Sequence, residues 1–150
     1  MGYVARLGSR SLDIGVTDAD LVGYRSPRHR VEYQEVYAGL LSRHFSAHLH
    51  YSPNYFHGSA ETLYADLDGV MRSDDDNWRV FAHLGALTPL SAPAARGARK
   101  ERYDVSAGIA RRLPHAEVSL AWSATTPSAR QADGTAQDRA TLVLSASYFF

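Results

Sequence analysis

Cysteine is absent from the 150 residues, which excludes a disulfide frame and any thiolate-ligated metal centre. No stretch approaches the roughly 18 consecutive apolar residues that a membrane-spanning helix needs. That absence leaves strand-crossing open, because a β-barrel spans a bilayer with alternating rather than continuous apolar positions. Neither charge is in excess: sixteen Lys and Arg balance sixteen Asp and Glu, so the overall electrostatics give no case for nucleic acid as a partner. No glycine-rich phosphate-cradling loop occurs. The opening MGYVARLGSRSLDIG also lacks the basic, then apolar, then small-residue order of a secretory leader. For an exported protein this implies that a leader has been removed or that the start is incomplete.

What the chain does have is period two. From residue 10 onwards apolar and polar residues alternate, and no helix-period segment competes, so the sequence predicts an all-β chain. About eight strands are expected, near 10–17, 32–42, 44–52, 60–72, 77–87, 102–112, 115–125 and 138–150. The third shows the pattern best: Phe45, Ala47, Leu49 and Tyr51 alternate with His44, Ser46, His48 and His50. Short connections near Ser42-Arg43, Ser73 to Asn77 and Leu113-Pro114 alternate with longer ones near 18–31, 53–59, 88–101 and 126–137. Outer-membrane barrels alternate short periplasmic turns with longer outer loops in the same way. Eight such strands would put both chain ends on the periplasmic side.

The two faces differ in character. One carries small and medium apolar residues; the other carries Asp13, Glu35, His48, His50, Asp66, Asp68, Arg79, His83, Asp104, Glu117 and Arg139. Burying that many ionisable groups in a soluble core would be costly, so the expected arrangement is polar inside and apolar towards lipid. Phe45, Trp78, Tyr148 and Phe150 near one rim, and Tyr51, Tyr103 and Trp122 near the other, read as aromatic girdles at the membrane interfaces. Arg111 falls on the apolar face beside a short turn, where it can snorkel to headgroups.

Chemistry beyond packing is sparse. His48 and His50 form an H-x-H pair that His44 or His83 could join, but imidazoles bonded to neighbouring carboxylates are the simpler expectation, and neither metal nor cofactor is expected. His115, Glu117 and Ser119 share a strand face, yet alternate residues stand ~7 Å apart, too far for a nucleophile and its base. The expectation is therefore no enzyme. Arg25, Arg28, Arg30, Arg96, Arg99, Lys100 and Arg102 make the outer connections basic enough to meet lipopolysaccharide phosphates. The Asp74-Asp75-Asp76 run lacks calcium-loop spacing and reads as a polar turn.

The terminal LVLSASYFF resembles the closing-strand signal of outer-membrane proteins, with Leu142, Leu144, Ala146, Tyr148 and Phe150 at the alternating positions that the barrel-assembly machinery reads. More narrowly, EVYAGLLSRHFSAHLHYSPNYF, LYADL, AHLGALTP and RYDVSAGIARRL resemble segments of the TorF family of porin-type proteins, over about residues 11–150. That resemblance implies an up-and-down transmembrane β-barrel in the bacterial outer membrane, with outer-membrane lipids as partners and small solutes passing through it. Members of that family resemble longer chains with further N-terminal strands. Residues 1–150 are accordingly expected to be one barrel domain or the C-terminal part of a larger barrel. Two alternatives stand beside the porin: a non-conducting structural or lipid-interacting barrel, and a soluble lipocalin-like ligand-binding barrel.

Overall fold

A computed structural model describes residues 1–22, 30–54, 61–91, 101–126 and 139–150, and for residues 20–22, 30–32 and 139 the backbone alone. Among the described residues, nine antiparallel strands run up and down in one sheet, in chain order: β1 (Gly2–Leu7), β2 (Arg10–Val22), β3 (Arg30–Leu41), β4 (Phe45–Asn54), β5 (Thr62–Arg72), β6 (Trp78–Pro89), β7 (Arg102–Arg112), β8 (Ala116–Thr125) and β9 (Arg139–Tyr148). The described residues contain no helix. β1 and β9 are the two edges and do not pair with each other.

The strand count is one higher than the alternation predicts. GYVARL is too short to show a period by itself; pairing with β2 makes it a strand, with Tyr3 opposite Ile14 and Leu7 opposite Arg10. The two are joined by Gly8 and Ser9, and Gly8 takes φ +64° at the first loop position, as a II′ hairpin requires. The added strand also changes where the chain starts. Met1 hydrogen-bonds Val16 in the middle of β2, so the two ends of the chain do not share a rim as an eight-strand count implies. The span expected as a long connection at 18–31 is shorter, because β2 continues to Val22 and β3 begins at Arg30.

Register turns the alternation into two faces. One cross-strand row, Ala5–Leu12–Leu40–Ala47–Leu67–Leu84–Val105–Ala124–Ala140, is apolar across all nine strands. The next row, one residue along, is Val4–Asp13–Gly39–His48–Asp66–Gly85–Asp104–Thr125–Arg139. A slip of one residue in any strand would mix the two rows, so the register is strongly specified. No second layer covers either face among the described residues, and their only buried apolar side chain is Ala110. Ile14, Val36, Leu49, Leu67, Val80, Leu84, Ile109 and Leu120 are all exposed.

The connections at one rim are tight: Gly8-Ser9, 42–44, 73–77 and 113–115, against seven to thirteen residues at the other rim. The acidic run forms the turn expected of it. Asp76 adopts φ 55° and its amide donates to the Ser73 carbonyl at 3.0 Å, a conformation that Asp tolerates better than most residues. Its carboxylate accepts from Arg72 at 3.3 Å and Arg112 at 3.4 Å. The Ser73 hydroxyl donates to Asp75, and the Asn77 side chain and amide add bonds of 2.7 and 3.2 Å. These donors hold the Asp75 carboxyl below its ordinary 3.8, the Ser73 bond contributing most.

A depressed carboxyl stabilises the folded turn above the ordinary pKa and loses that contribution as pH falls through the lowered value. Ser73→Ala should therefore move the Asp75 titration up towards 3.8, followed by carboxyl-carbon NMR, and shift the turn's acid loosening to higher pH. An unmoved Asp75 titration would contradict this account.

Candidate functional site

The polar row places its chemistry by spacing. His48 on β4 lies directly opposite Asp66 on β5 and Gly39 on β3, and His50 lies between Tyr37 and Tyr64. A Cβ at position 39 would stand 2.2 Å from the His48 ring, so glycine there gives the imidazole room to lie over β3. His48 Nδ1 then meets Asp66 Oδ1 at 3.0 Å. His50 is bracketed: Nδ1 lies 2.8 Å from Glu35 Oε1 and Nε2 lies 3.1 Å from Asp66 Oδ2. The rings of Tyr37 and Tyr64 flank it, each with its centroid 5.8 Å away.

A β-bulge brings Glu35 into this group. The β3–β4 register shifts between Gln34 and Val36, so Ser52 and Pro53 together oppose Glu35. Proline has no amide to lose from the ladder there, and the buried Ser52 hydroxyl donates to the Gln34 carbonyl at 2.6 Å. The Tyr33 hydroxyl donates to the second Glu35 oxygen. His48, His50, Asp66 and Glu35 thus form one connected group, with the Asp66 side chain 8% exposed.

A second group adjoins it. His83 on β6 sits between Asp68 Oδ1 at 2.8 Å and Asp104 Oδ1 at 2.7 Å. The Tyr64 hydroxyl donates to Asp104 Oδ1 at 3.2 Å, reaching across β6 because position 85 is glycine; a Cβ there would stand 2.3 Å from that hydroxyl. Towards the short-turn rim, Arg79 Nη2 donates to Glu117 Oε1 at 2.6 Å, and its guanidinium lies over the Phe81 ring. Asp13 lies apart, accepting only a 3.5 Å bond from Tyr37. Of the polar-face residues expected from sequence, the structure brings Glu35, His48, His50, Asp66, Asp68, His83 and Asp104 into two adjoining groups and sets Arg79 with Glu117 as a separate pair. Arg139 pairs its backbone with Thr125, but its side chain lies outside the described residues.

Other expected residues do not join. His44 is exposed in the 42–44 turn, away from the histidine pair. Glu117 is engaged by Arg79, and the His115 ring lies 6.4 Å from that of Tyr148, so His115, Glu117 and Ser119 form no hydrogen-bonded relay. Phe45, Trp78, Tyr148 and Phe150 lie towards the short-turn rim; Tyr51, Tyr103 and Trp122 lie towards the other. Arg111 lies opposite Trp78 with its guanidinium 5.1 Å from the ring, and Arg10 lies similarly over Phe45 at 6.0 Å. Leu142, Leu144, Ala146 and Tyr148 are exposed along β9, and Phe150 follows it. Arg25, Arg28, Arg96, Arg99 and Lys100 lie outside the described residues, as does the Arg30 side chain, while Arg102 is exposed.

Sequence reasoning did not single out Tyr37, Tyr64 or Tyr33 as site residues. For Tyr37 and Tyr64 the signal that could have found them is the pairing of polar-face aromatics with glycines on neighbouring strands; for Tyr33 it is Glu35 two residues on along the same strand. Comparison with known protein families, curated proteins and solved structures gives no match. Chemically, the two groups are histidines held between carboxylates, suited to holding protons or cations.

Gly39→Ala should force the His48 ring off Asp66 and cost ~1–3 kcal/mol, as overpacking does. Gly69→Ala is the control, because a Cβ there meets nothing within 4 Å. Equal unfolding midpoints for the two variants would show that the close approach at Gly39 is not needed.

Proposed function

We propose that this chain is an outer-membrane β-barrel protein of porin type, whose sheet is completed by further strands into a ring that passes small solutes by diffusion. The observation that carries this reading is the sidedness of an uncovered sheet: large aliphatic side chains outward and exposed, ionisable groups gathered on the opposite face. A soluble barrel would turn its large apolar side chains inward. In water, each half-exposed leucine or isoleucine forgoes half of the ~1.5–3 kcal/mol that full burial contributes. A lipid exterior supplies that burial.

Dimensions support the same reading. β2 to β9 have ten to thirteen residues each, and about 9 to 11 tilted residues span a bilayer's hydrocarbon layer. Tight connections at one rim and longer ones at the other match periplasmic turns and outer loops. The rim aromatics, with Arg10 and Arg111 over two of them, suit the headgroup level. The nine strands among the described residues form an open sheet, which suits one arc of a wider ring. The TorF-like segments and the closing-strand signal agree with that assignment. The basic outer connections suit lipopolysaccharide, and the C-terminal strand suits the assembly machinery.

A second reading has its own support. The polar face is laced by carboxylate–histidine and Arg79–Glu117 pairs, which in a narrow barrel would fill the interior and leave no conducting path.

Leu84 lies mid-strand on the apolar face, 55% exposed. In lipid, Leu84→Arg should cost ~2–4 kcal/mol, whereas an exposed site in water would change by no more than ~0.5 kcal/mol. The measurement is denaturant unfolding of protein folded into liposomes, with heat-modifiable gel migration as the folding readout. Folding in plain buffer, with Leu84→Arg silent, would overturn the membrane reading. Conductance steps in planar bilayers would select the porin over the filled barrel.

A further inference from the structure

We infer that His48, His50 and Asp66 form a binding site for one divalent transition-metal ion, with Glu35 orienting His50. The inference is independent of what the apolar face meets, because the cluster lies on the opposite face.

Ligand geometry leads to it. Both nitrogens of His50 face carboxylate oxygens, at 2.8 and 3.1 Å. His48 adds a second nitrogen, 3.0 Å from the other Asp66 oxygen. Among the described residues, no Lys or Arg forms an ion pair with Glu35 or Asp66. The group thus gathers, among the described residues, two imidazoles and two carboxylates with no Lys or Arg between them. A divalent ion between the two nitrogens and Asp66 would take a coordinate bond from each and offset the carboxylate charge.

The geometry suits the ion. The three ligand atoms lie within 4.8 Å of one another. Metal bonds of about 2.0–2.2 Å at tetrahedral angles need ligand atoms ~3.3–3.6 Å apart, so modest side-chain rotation closes the set and leaves a coordination position for water. The contact from Glu35 to His50 Nδ1 is the carboxylate–histidine support that fixes the tautomer and orients the ring in metal sites. Two imidazoles with one carboxylate select Zn2+, Ni2+ or Cu2+ over Ca2+ or Mg2+, which prefer oxygen ligands only. His83, also held between two carboxylates, has no second imidazole beside it and makes no equivalent set.

The test is titration of the folded, metal-stripped chain with Co2+, followed by visible absorption, and competition with Zn2+. Saturation at one ion per chain, with an absorption band that Zn2+ abolishes and Ca2+ does not, is expected. His48→Gln and His50→Gln should each weaken binding at least ~tenfold, and Glu35→Gln should weaken it by roughly ten- to hundredfold while keeping the band's shape. His44→Ala and His115→Ala, at exposed turn histidines, should leave binding unchanged. No saturable binding by the folded wild-type chain would overturn the site, and so would loss of binding in the turn variants instead of the pair. The wild-type titration decides even where a variant fails to fold.

Discussion

Everything in this structure follows from a single sheet having two faces and, among the described residues, no second layer. A layered protein buries its apolar residues between elements, whereas here the row from Ala5 to Ala140 stays uncovered among the described residues. The cross-strand hydrogen-bond ladder can be satisfied within the sheet, but the apolar face must find an apolar environment outside it. That requirement is what the proposed membrane reading rests on. It also explains the tight registers, because any slip would send charged groups onto the apolar face.

The same constraint shapes the polar face. Adjacent strands stand ~4.8 Å apart, so histidines and carboxylates on neighbouring strands meet only where side chains can lie flat against the sheet. Glycines at 39 and 85 provide that space, and the bulge at Ser52-Pro53 sets Glu35 against His50. Half-buried ionisable groups are costly unless bonded, and no buried side-chain nitrogen or oxygen among the described residues lacks a partner. The bonded network is thus a condition for folding before it is a functional site. The proposed metal site uses the part of that network where two imidazoles and a carboxylate converge.

Much of this was legible in the sequence because a strand's side-chain period is two and local. The alternation around Phe45 to Tyr51 and Trp78 to Gly85 gave the strands and assigned their faces, and Ser73 to Asn77 was readable as a turn from its acids. β1 was not legible, since GYVARL is a strand only by virtue of its partner. The tyrosines at 37 and 64 were equally opaque, because their roles depend on which glycine or carboxylate lies on a neighbouring strand.

By itself, then, the sequence determined the all-β, up-and-down character, the two faces and the pool of ionisable residues that share one of them, because those properties depend only on residue type and parity. Tertiary structure alone decided which of those residues meet. His48 and His50 are two apart in the chain, but Asp66 and Glu35 reach them through register and a bulge, from strands on either side. Cross-strand offset is set by turn geometry and pairing along the whole ladder, and no local pattern encodes it.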